Sequence, residues 1–315
     1  MALLSIVVPC YNEEATVELF YARASAVCGA LPELEVEYLF VDDGSADGTL
    51  GILRGLAKEK PGVRWLSLSR NFGKEAAMYA GLEHARGDYV AVMDVDLQDP
   101  PELLPQLLEA VRTGGYDCAA VRRVNRKGEP PIRSWFARQF YKLINKVSRT
   151  EIVDGARDFR LMTRQMVEAI LRVGEYNRFS KGIFSWVGFR VKWVETENAE
   201  RSGGESKWSF FKLLVYALDG IIAFSTAPLA IASVLGLILC VVSFLAIVFV
   251  IVRQLVWGGS AFGWPSLVCI ILFLAGIQLF CIGILGQYLA KTYLEVKKRP
   301  IYILREQGGS LDEKP

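Results

Sequence analysis

Histidine is nearly absent from this sequence: His84 is alone among 315 residues, and no two cysteines stand at CxxC spacing. Those two shortages exclude a metal centre built on imidazole or thiolate ligands. The six cysteines, Cys10, Cys28, Cys118, Cys240, Cys269 and Cys281, are scattered, half of them in the apolar C-terminal third. Buried free thiols in a reducing compartment are therefore expected. There is no GxGxxG and no GxxxxGK[ST], so neither a dinucleotide fold nor a P-loop is supported. Excess charge is missing too: 36 Lys and Arg against 34 Asp and Glu give a net charge of +2, which implies no nucleic-acid partner. Met1 to Pro9 is too short and lacks the basic stretch of a signal peptide, so the amino-terminal part is expected to stay in the cytoplasm.

What the chain has in abundance is hydrophobic sequence, 52% of its residues, with a mean hydropathy of +0.28. That exceeds an ordinary soluble domain, and the excess lies after residue 226. Pro228 to Val252 and Leu267 to Leu289 are uncharged runs, each long enough to cross hydrocarbon. Buried core helices of a larger soluble domain are the competing reading, which two such runs disfavour. Arg201, Lys207 and Lys212 precede the first run, Lys291, Lys297, Lys298, Arg299 and Arg305 follow the second, and only Arg253 lies between. The positive-inside rule then puts both flanks in the cytoplasm. Ser209 to Phe224 carries Lys212 and Asp219 on an otherwise apolar helix, the pattern of a helix lying in the membrane interface. The chain thus divides into a cytoplasmic domain (1–208), an interfacial helix (209–226), a two-helix hairpin (227–290) and a basic cytoplasmic tail (291–315).

Within the first 208 residues, β-rich runs at Leu3–Val8, Val36–Val41, Val63–Leu68, Tyr89–Met93 and Asp117–Val121 alternate with helical patterns. Further helices are predicted over Ile132–Val147 and Thr163–Val173, and a strand over Phe189–Val194. The segment from Asp154 to Arg160 reads only as the approach to the second of those helices. Such alternation predicts an α/β fold, a mostly parallel sheet covered by helices on both faces.

Two of these strands end in acid. The second runs into Asp42-Asp43-Gly44-Ser45, and the fourth into Asp94-Val95-Asp96-Leu97-Gln98-Asp99-Pro100-Pro101. In a parallel sheet such ends share one rim, where open α/β sheets bind their ligands. Carboxylates this crowded repel one another unless a cation or a solvated turn relieves them, and their oxygen chemistry suits Mg²⁺ or Mn²⁺. A rim of carboxylates with a bridging divalent ion suggests a metal-bound nucleotide diphosphate. A polar turn capping a strand is the plainer alternative.

These stretches, together with Val8-Pro9-Cys10-Tyr11-Asn12-Glu13-Glu14, resemble family 2 glycosyltransferases of the GT-A fold. Ser69-Arg70-Asn71-Phe72-Gly73-Lys74-Glu75, Asp158-Phe159-Arg160 and Arg201-Ser202-Gly203-Gly204-Glu205-Ser206-Lys207-Trp208, followed by two spans, narrow the resemblance to polyisoprenyl-phosphate glycosyltransferases, nearest the bactoprenol glucosyltransferases. The resemblance implies roles for matching residues. Pro9, Tyr11, Glu13 and Asp42 would line the nucleobase and ribose pocket, with Asp43 and Lys74 nearer the diphosphate. Asp94 would belong to the metal–nucleotide site, with Asp96 and Gln98 as direct metal ligands. Arg122, Arg133, Arg201 and Lys207 would meet the acceptor phosphate, the first two by similarity to dolichyl-phosphate mannose synthases. Asp158 would act as base or as a carboxylate orienting the nucleophile. Each role has a structural alternative. Asp42 could bind its own turn, Tyr11 could pack, and Lys74 could solvate a helix start. The cations could attract anionic lipid, and Asp158 could pair with Arg157 or Arg160.

The reaction so implied is inverting transfer of a hexose, glucose first, from a UDP-sugar to undecaprenyl phosphate at the inner leaflet of a bacterial plasma membrane. It would serve cell-envelope glycan or O-antigen modification. Mannose, GalNAc or GlcNAc, or an aminoarabinose derivative are alternative sugars. A processive synthase is disfavoured because no QxxRW motif and no further spans are present. A catalytically silent scaffold or flippase subunit is the reading from another class. Gly236, Gly276, Gly283 and Gly286 would let the spans pack closely in a homo-oligomer, a tetramer being one stoichiometry.

Overall fold

The structure is a computed structural model that describes residues 1–124, 145, 153–196, 225–257 and 263–309. Its first half is the predicted alternation. Strands β1 (Ala2–Cys10), β2 (Leu34–Asp42), β3 (Val63–Leu68) and β4 (Tyr89–Val92) are linked by helices α1 (Val17–Gly29), α2 (Thr49–Glu59) and α3 (Lys74–His84). A 3₁₀ turn at Pro101–Leu103 and α4 (Leu104–Arg112) then lead to β5 (Cys118–Arg123). After β6 (Ala156–Thr163) come α5 (Arg164–Arg172), α6 (Ser180–Trp186) and β7 (Val191–Thr196). Two long helices, α7 (Ala227–Trp257) and α8 (Trp264–Val296), precede a last strand, β8 (Leu304–Gly308).

The described strands form one sheet in the order β7-β5-β6-β4-β1-β2-β3-β8. Strands β3, β2, β1 and β4 run parallel, and β5 runs parallel to β7, while β6 and β8 are antiparallel to their neighbours. The sheet is mixed, with helices on both faces. Successive side chains on β1, β2 and β4 serve opposite faces, as the strand period requires. Leu4, Ile6, Val8, Phe40, Ala91 and Met93 pack with α1 and α4, whereas Val7, Leu39, Val41, Val90 and Val92 pack with α3 and α5. With both faces covered, these strands read as continuous apolar runs.

Two strands escape a reading of sequence alone. β6 carries Arg157, Asp158 and Arg160 among its apolar residues, which breaks the run that marks a buried strand. Arg160 is nonetheless buried, its guanidinium 3.7 Å over the ring of Phe184 and donating to the Arg157 carbonyl at 2.8 Å. β8 lies in what reads as a basic tail; it pairs with β3 and forms one edge of the sheet, and Arg54 bonds Glu306 beside it. The strand predicted at Phe189–Val194 sits two residues later. The helix predicted at Ile132–Val147 and the interfacial helix at Ser209–Phe224 fall outside the described residues, Asn145 apart.

Helices α7 and α8 contain stretches long and apolar enough to cross a membrane, Ala227–Ala246 and Phe273–Val296. Their large side chains, among them Leu237, Phe244, Phe249, Leu279 and Phe280, are exposed. At the other extreme of packing is α3, which lies on β1 through Gly81. A Cβ there would stand 2.2 Å from Cγ1 of Val7, a fully buried β-branched side chain with little freedom to move. Gly81→Ala is expected to cost about 1–3 kcal/mol by overpacking. A lowered thermal unfolding midpoint of the detergent-solubilised protein would register it, and an unchanged midpoint would refute this packing.

Candidate active site

The acid rim follows from strand direction. β1, β2 and β4 are parallel neighbours, so Tyr11, Asp42-Asp43 and Asp94 emerge at one edge. The Asp43 amide donates to the Cys10 carbonyl, and the Met93 amide to the Val7 carbonyl, which ties the three strand ends together. β6 runs the opposite way beside β4, with Arg160 opposite Val92. Its beginning therefore arrives at the rim where β4 finishes, and Asp158 comes to the acid cluster.

The two acids after β2 have their oxygens engaged by the protein. Asp42 is buried and accepts from the Ser45 amide at 3.1 Å and from Ser67 Oγ at 2.9 Å. Asp43 accepts from the amides of Phe72 and Gly73 at 2.7 and 2.9 Å. Burial pushes the Asp43 carboxyl above the usual range, against those two amides, which favour its charge. Asp43 thereby fixes the loop that opens α3. The turn at Gly44 admits only glycine: its φ is +69°, and a Cβ would meet the Arg70 carbonyl carbon at 2.5 Å. The loop after β1 interlocks with the one after β2. The Asn12 amide donates to Ser45 Oγ, Asn12 Oδ1 accepts from the Ala46 amide, and the Glu13 amide donates to Thr49 Oγ1, each at 2.9 Å. The Glu13 carboxylate accepts from Thr16 Oγ1 at 2.7 Å. Pro9 belongs to the buried end of β1, and Tyr11 is exposed beside it.

Lys74, the first residue of α3, lies between the acids. Its Nζ is 2.6 Å from Asp94 Oδ1 and 2.5 Å from Asp158 Oδ2. The carboxylate of Asp158 is thus paired with a lysine from a different layer of the fold, while Arg160 Nε donates to the Asp158 backbone carbonyl at 3.3 Å. Burial disfavours the Lys74 ammonium, but the two carboxylates outweigh it and hold its pKa above the ordinary lysine value. Burial also pushes Asp158 up; there Lys74, with Lys181 and Arg160, outweighs it and holds the carboxyl well below the usual range. For Asp94 burial prevails over Lys74, with the charges of Asp158 and Asp96 adding to it, and the carboxyl lies above the usual range.

The Asp96–Asp99 turn is organised by Arg157. Its Nη1 donates to Gln98 Oε1 at 3.3 Å, and its Nε is 3.3 Å from Asp99 Oδ1. Asp99 is buried, which raises its carboxyl to about 6 against the opposing charge of Arg157. Asp96 accepts from the Gln98 amide at 3.1 Å. Among the described residues no three His, Cys, Asp or Glu side chains are already gathered about one point as metal ligands. The donor chemistry of Asp94 and Asp96 still fits a hard divalent cation, being carboxylate oxygen alone. The position between Asp94 and Asp158 is taken by the Lys74 ammonium, and Gln98 Oε1 by Arg157.

Of the cations assigned to an acceptor phosphate, Arg122 pairs with Glu195 across β5 and β7. Arg133, Arg201 and Lys207 lie outside the described residues. Four residues around the rim have no site role assigned from the sequence. Arg157 and Arg160 stand there only as alternative partners for Asp158. Glu75 accepts from the Ser180 amide at 2.9 Å, and the charge of Lys181 helps to hold the Asp158 carboxyl low. Each depends on α6 or on the antiparallel setting of β6.

Residues 5–171 match the family model for glycosyl transferase family 2. A prophage bactoprenol glucosyl transferase homolog of Escherichia coli K12 is 44% identical over 302 residues, covering 96% of this chain and 98% of that protein. The bactoprenol glucosyl transferase of Shigella phage SfII is 45% identical over 303 residues, covering 96% and 97%. That of Shigella phage SfV is 44% identical over 304 residues, covering 96% and 98%.

The Lys74 bridge has a signature in stability. Because the Asp158 carboxyl is depressed in the folded state, it stabilises the fold above the unfolded carboxyl pKa, near 4, and the contribution is lost as pH falls below that. Lys74→Met removes the compensation and leaves Asp94 and Asp158 facing each other, so that the pair retains a proton to higher pH. Acidification from about pH 7 to pH 5 is then expected to raise the thermal midpoint of the variant relative to that of the parent. Parallel midpoints over that interval would show that Lys74 does not compensate the pair.

Proposed function

The chain belongs to glycosyl transferase family 2, and on that premise we propose that it transfers a hexose, glucose in the first instance, from a UDP-sugar to undecaprenyl phosphate with inversion. The observation that carries this reading is the acid rim at the carboxyl ends of β1, β2 and β4, joined by Asp158 and bridged by Lys74, in a chain that also has two membrane-length apolar helices. The names of the phage and prophage relatives support the polyprenyl acceptor and the glucose donor. Helices α7 and α8 are the proposed anchor in the bacterial plasma membrane, with both termini cytoplasmic and the catalytic domain at the inner leaflet. Their four glycines have open space around the Cβ position and support close packing in a homo-oligomer. Modification of cell-envelope glycan or O-antigen is the setting that this lipid-linked product fits.

The chain's own residues divide the work. Pro9, Tyr11, Glu13 and Asp42 are the proposed floor for uridine. Asp43 positions the Ser69–Gly73 loop, from which Lys74 reaches the rim. Asp94 and Asp96 would hold Mg²⁺ or Mn²⁺, with Gln98 joining them once released by Arg157. Bound there, the ion would neutralise charge developing on the UDP leaving group. An oxygen of the lipid phosphate attacks the anomeric carbon as the bond to the UDP oxygen breaks, and UDP leaves with the electron pair. A phosphomonoester is mostly dianionic near neutral pH, its second pKa being about 6, so no strong base is needed. Asp158 suits that chemistry. A carboxyl held this low is a poor proton acceptor but a fixed negative charge, able to favour the oxocarbenium-like carbon of the transition state. Arg122, Arg133, Arg201 and Lys207 are the proposed contacts of the acceptor phosphate.

Membranes containing the protein, given undecaprenyl phosphate and a panel of labelled UDP-sugars, are expected to place metal-dependent label from UDP-glucose in the lipid extract. Asp96→Ala and Asp158→Asn are each expected to lower the rate more than about a hundredfold, beyond what loss of outer support costs a metal site. Labelling by no sugar in the panel, or full activity in Asp96→Ala, would overturn the reading.

A further inference from the structure

Residues 174–179, between α5 and α6, form no regular element, yet carboxylates from two distant parts of the chain hold this connection. Glu295, in the last turn of α8, takes its beginning. The Tyr176 amide donates to Glu295 Oε1 and Oε2 at 3.0 and 3.1 Å, the Asn177 amide to Oε1 at 3.2 Å, and Asn177 Nδ2 to Oε1 at 3.5 Å. Glu75 takes its end, accepting from both the amide and the hydroxyl of Ser180. Between them the Arg178 guanidinium lies 4.5 Å over the ring of Tyr79, on the same helix as Glu75, and donates to the Val173 carbonyl.

The two ends of this connection have different neighbours. Glu295 closes a helix that is apolar enough to span a membrane. Glu75 follows Lys74 in the first turn of α3, and the charge of Lys181, next to Ser180, favours the ionised Asp158. Tyr302, just beyond α8, donates to Glu83 at the other end of α3 at 2.5 Å. The chain emerging from α8 therefore touches the structure that presents Lys74 at both ends, once directly and once through residues 176–180.

We propose that Glu295 is a positioning residue: by holding residues 176–180 it sets Glu75 and the first turn of α3, and so the placement of Lys74 between Asp94 and Asp158. The inference rests on the transferase reading only for its catalytic consequence. Charge-assisted bonds to backbone amides are among the stronger hydrogen bonds, and Glu295 supplies the acceptor for two successive ones.

Hydrogen exchange on the full-length protein in lipid nanodiscs tests the mechanical part without any donor. Glu295→Ala is expected to speed exchange about tenfold or more at the amides of residues 176–180 and also at Ala76 and Ala77 in the first turn of α3. Glu295→Gln, which keeps a carbonyl acceptor, should fall between the variant and the parent. In transfer assays kcat of Glu295→Ala is expected to drop about tenfold while KM for the donor stays within about twofold. Adding Glu295→Ala to Glu75→Gln should lower kcat little further, because both act through one path. Faster exchange at 176–180 with no change at Ala76 and Ala77 would overturn the inference, leaving Glu295 a simple anchor. So would unchanged kcat in an active protein, or independent effects of the two substitutions. If the parent transfers no sugar, the transferase reading fails by itself, and exchange at Ala76 and Ala77 still decides the role of Glu295.

Discussion

Close carboxylates on one sheet edge are the constraint from which the rest of this site follows. Asp94, Asp96, Asp99 and Asp158 gather where β4 ends and β6 begins, and like charges in a partly buried place cannot all ionise freely. Among the described residues, two cations lie directly against them. Lys74 bridges Asp94 and Asp158, and Arg157 spans Gln98 and Asp99. The division has a consequence for chemistry. Asp158 stays ionised and fixed, Asp99 is raised to about 6, and Asp94, held above the usual carboxylate range by burial, shares the Lys74 ammonium with Asp158.

The sheet makes that gathering possible through one reversal of direction. Had β6 run parallel to β4, its acid would have fallen at the opposite rim. The antiparallel setting places Asp158 beside the ends of parallel strands and buries Arg160 against Phe184 below it. The second reversal, at β8, ties the chain leaving α8 to the edge of the same sheet. Long helices with exposed apolar side chains and a domain with a charged rim thus belong to one connected structure, with Glu295 and Tyr302 at the junction.

Much of this was legible in sequence because it depends on local pattern. Unbroken apolar runs marked β1 to β5, since strands covered on both faces need no polar alternation. Asp42-Asp43 and Asp94-x-Asp96 were visible as a shared acidic rim because each ends a strand of the parallel set. The two long helices were visible from length and lack of charge. β6 was not legible, because Arg157, Asp158 and Arg160 interrupt its apolar pattern and their compensation comes from residues far along the chain. Nor was β8, whose polar sequence suits an edge strand as well as a solvated tail.

The sequence by itself determined the alternation of strand and helix, the acidic strand ends, the membrane-length runs and the family resemblance, all carried by neighbouring residues. Only the tertiary structure decided which charges meet. Lys74 precedes Asp158 by 84 residues, and the fold brings its ammonium against the Asp158 carboxylate. Glu295 lies 119 residues after Tyr176 and looks like one more charge at a helix end. Pairing across such separations follows from strand order and direction, and no local pattern records either.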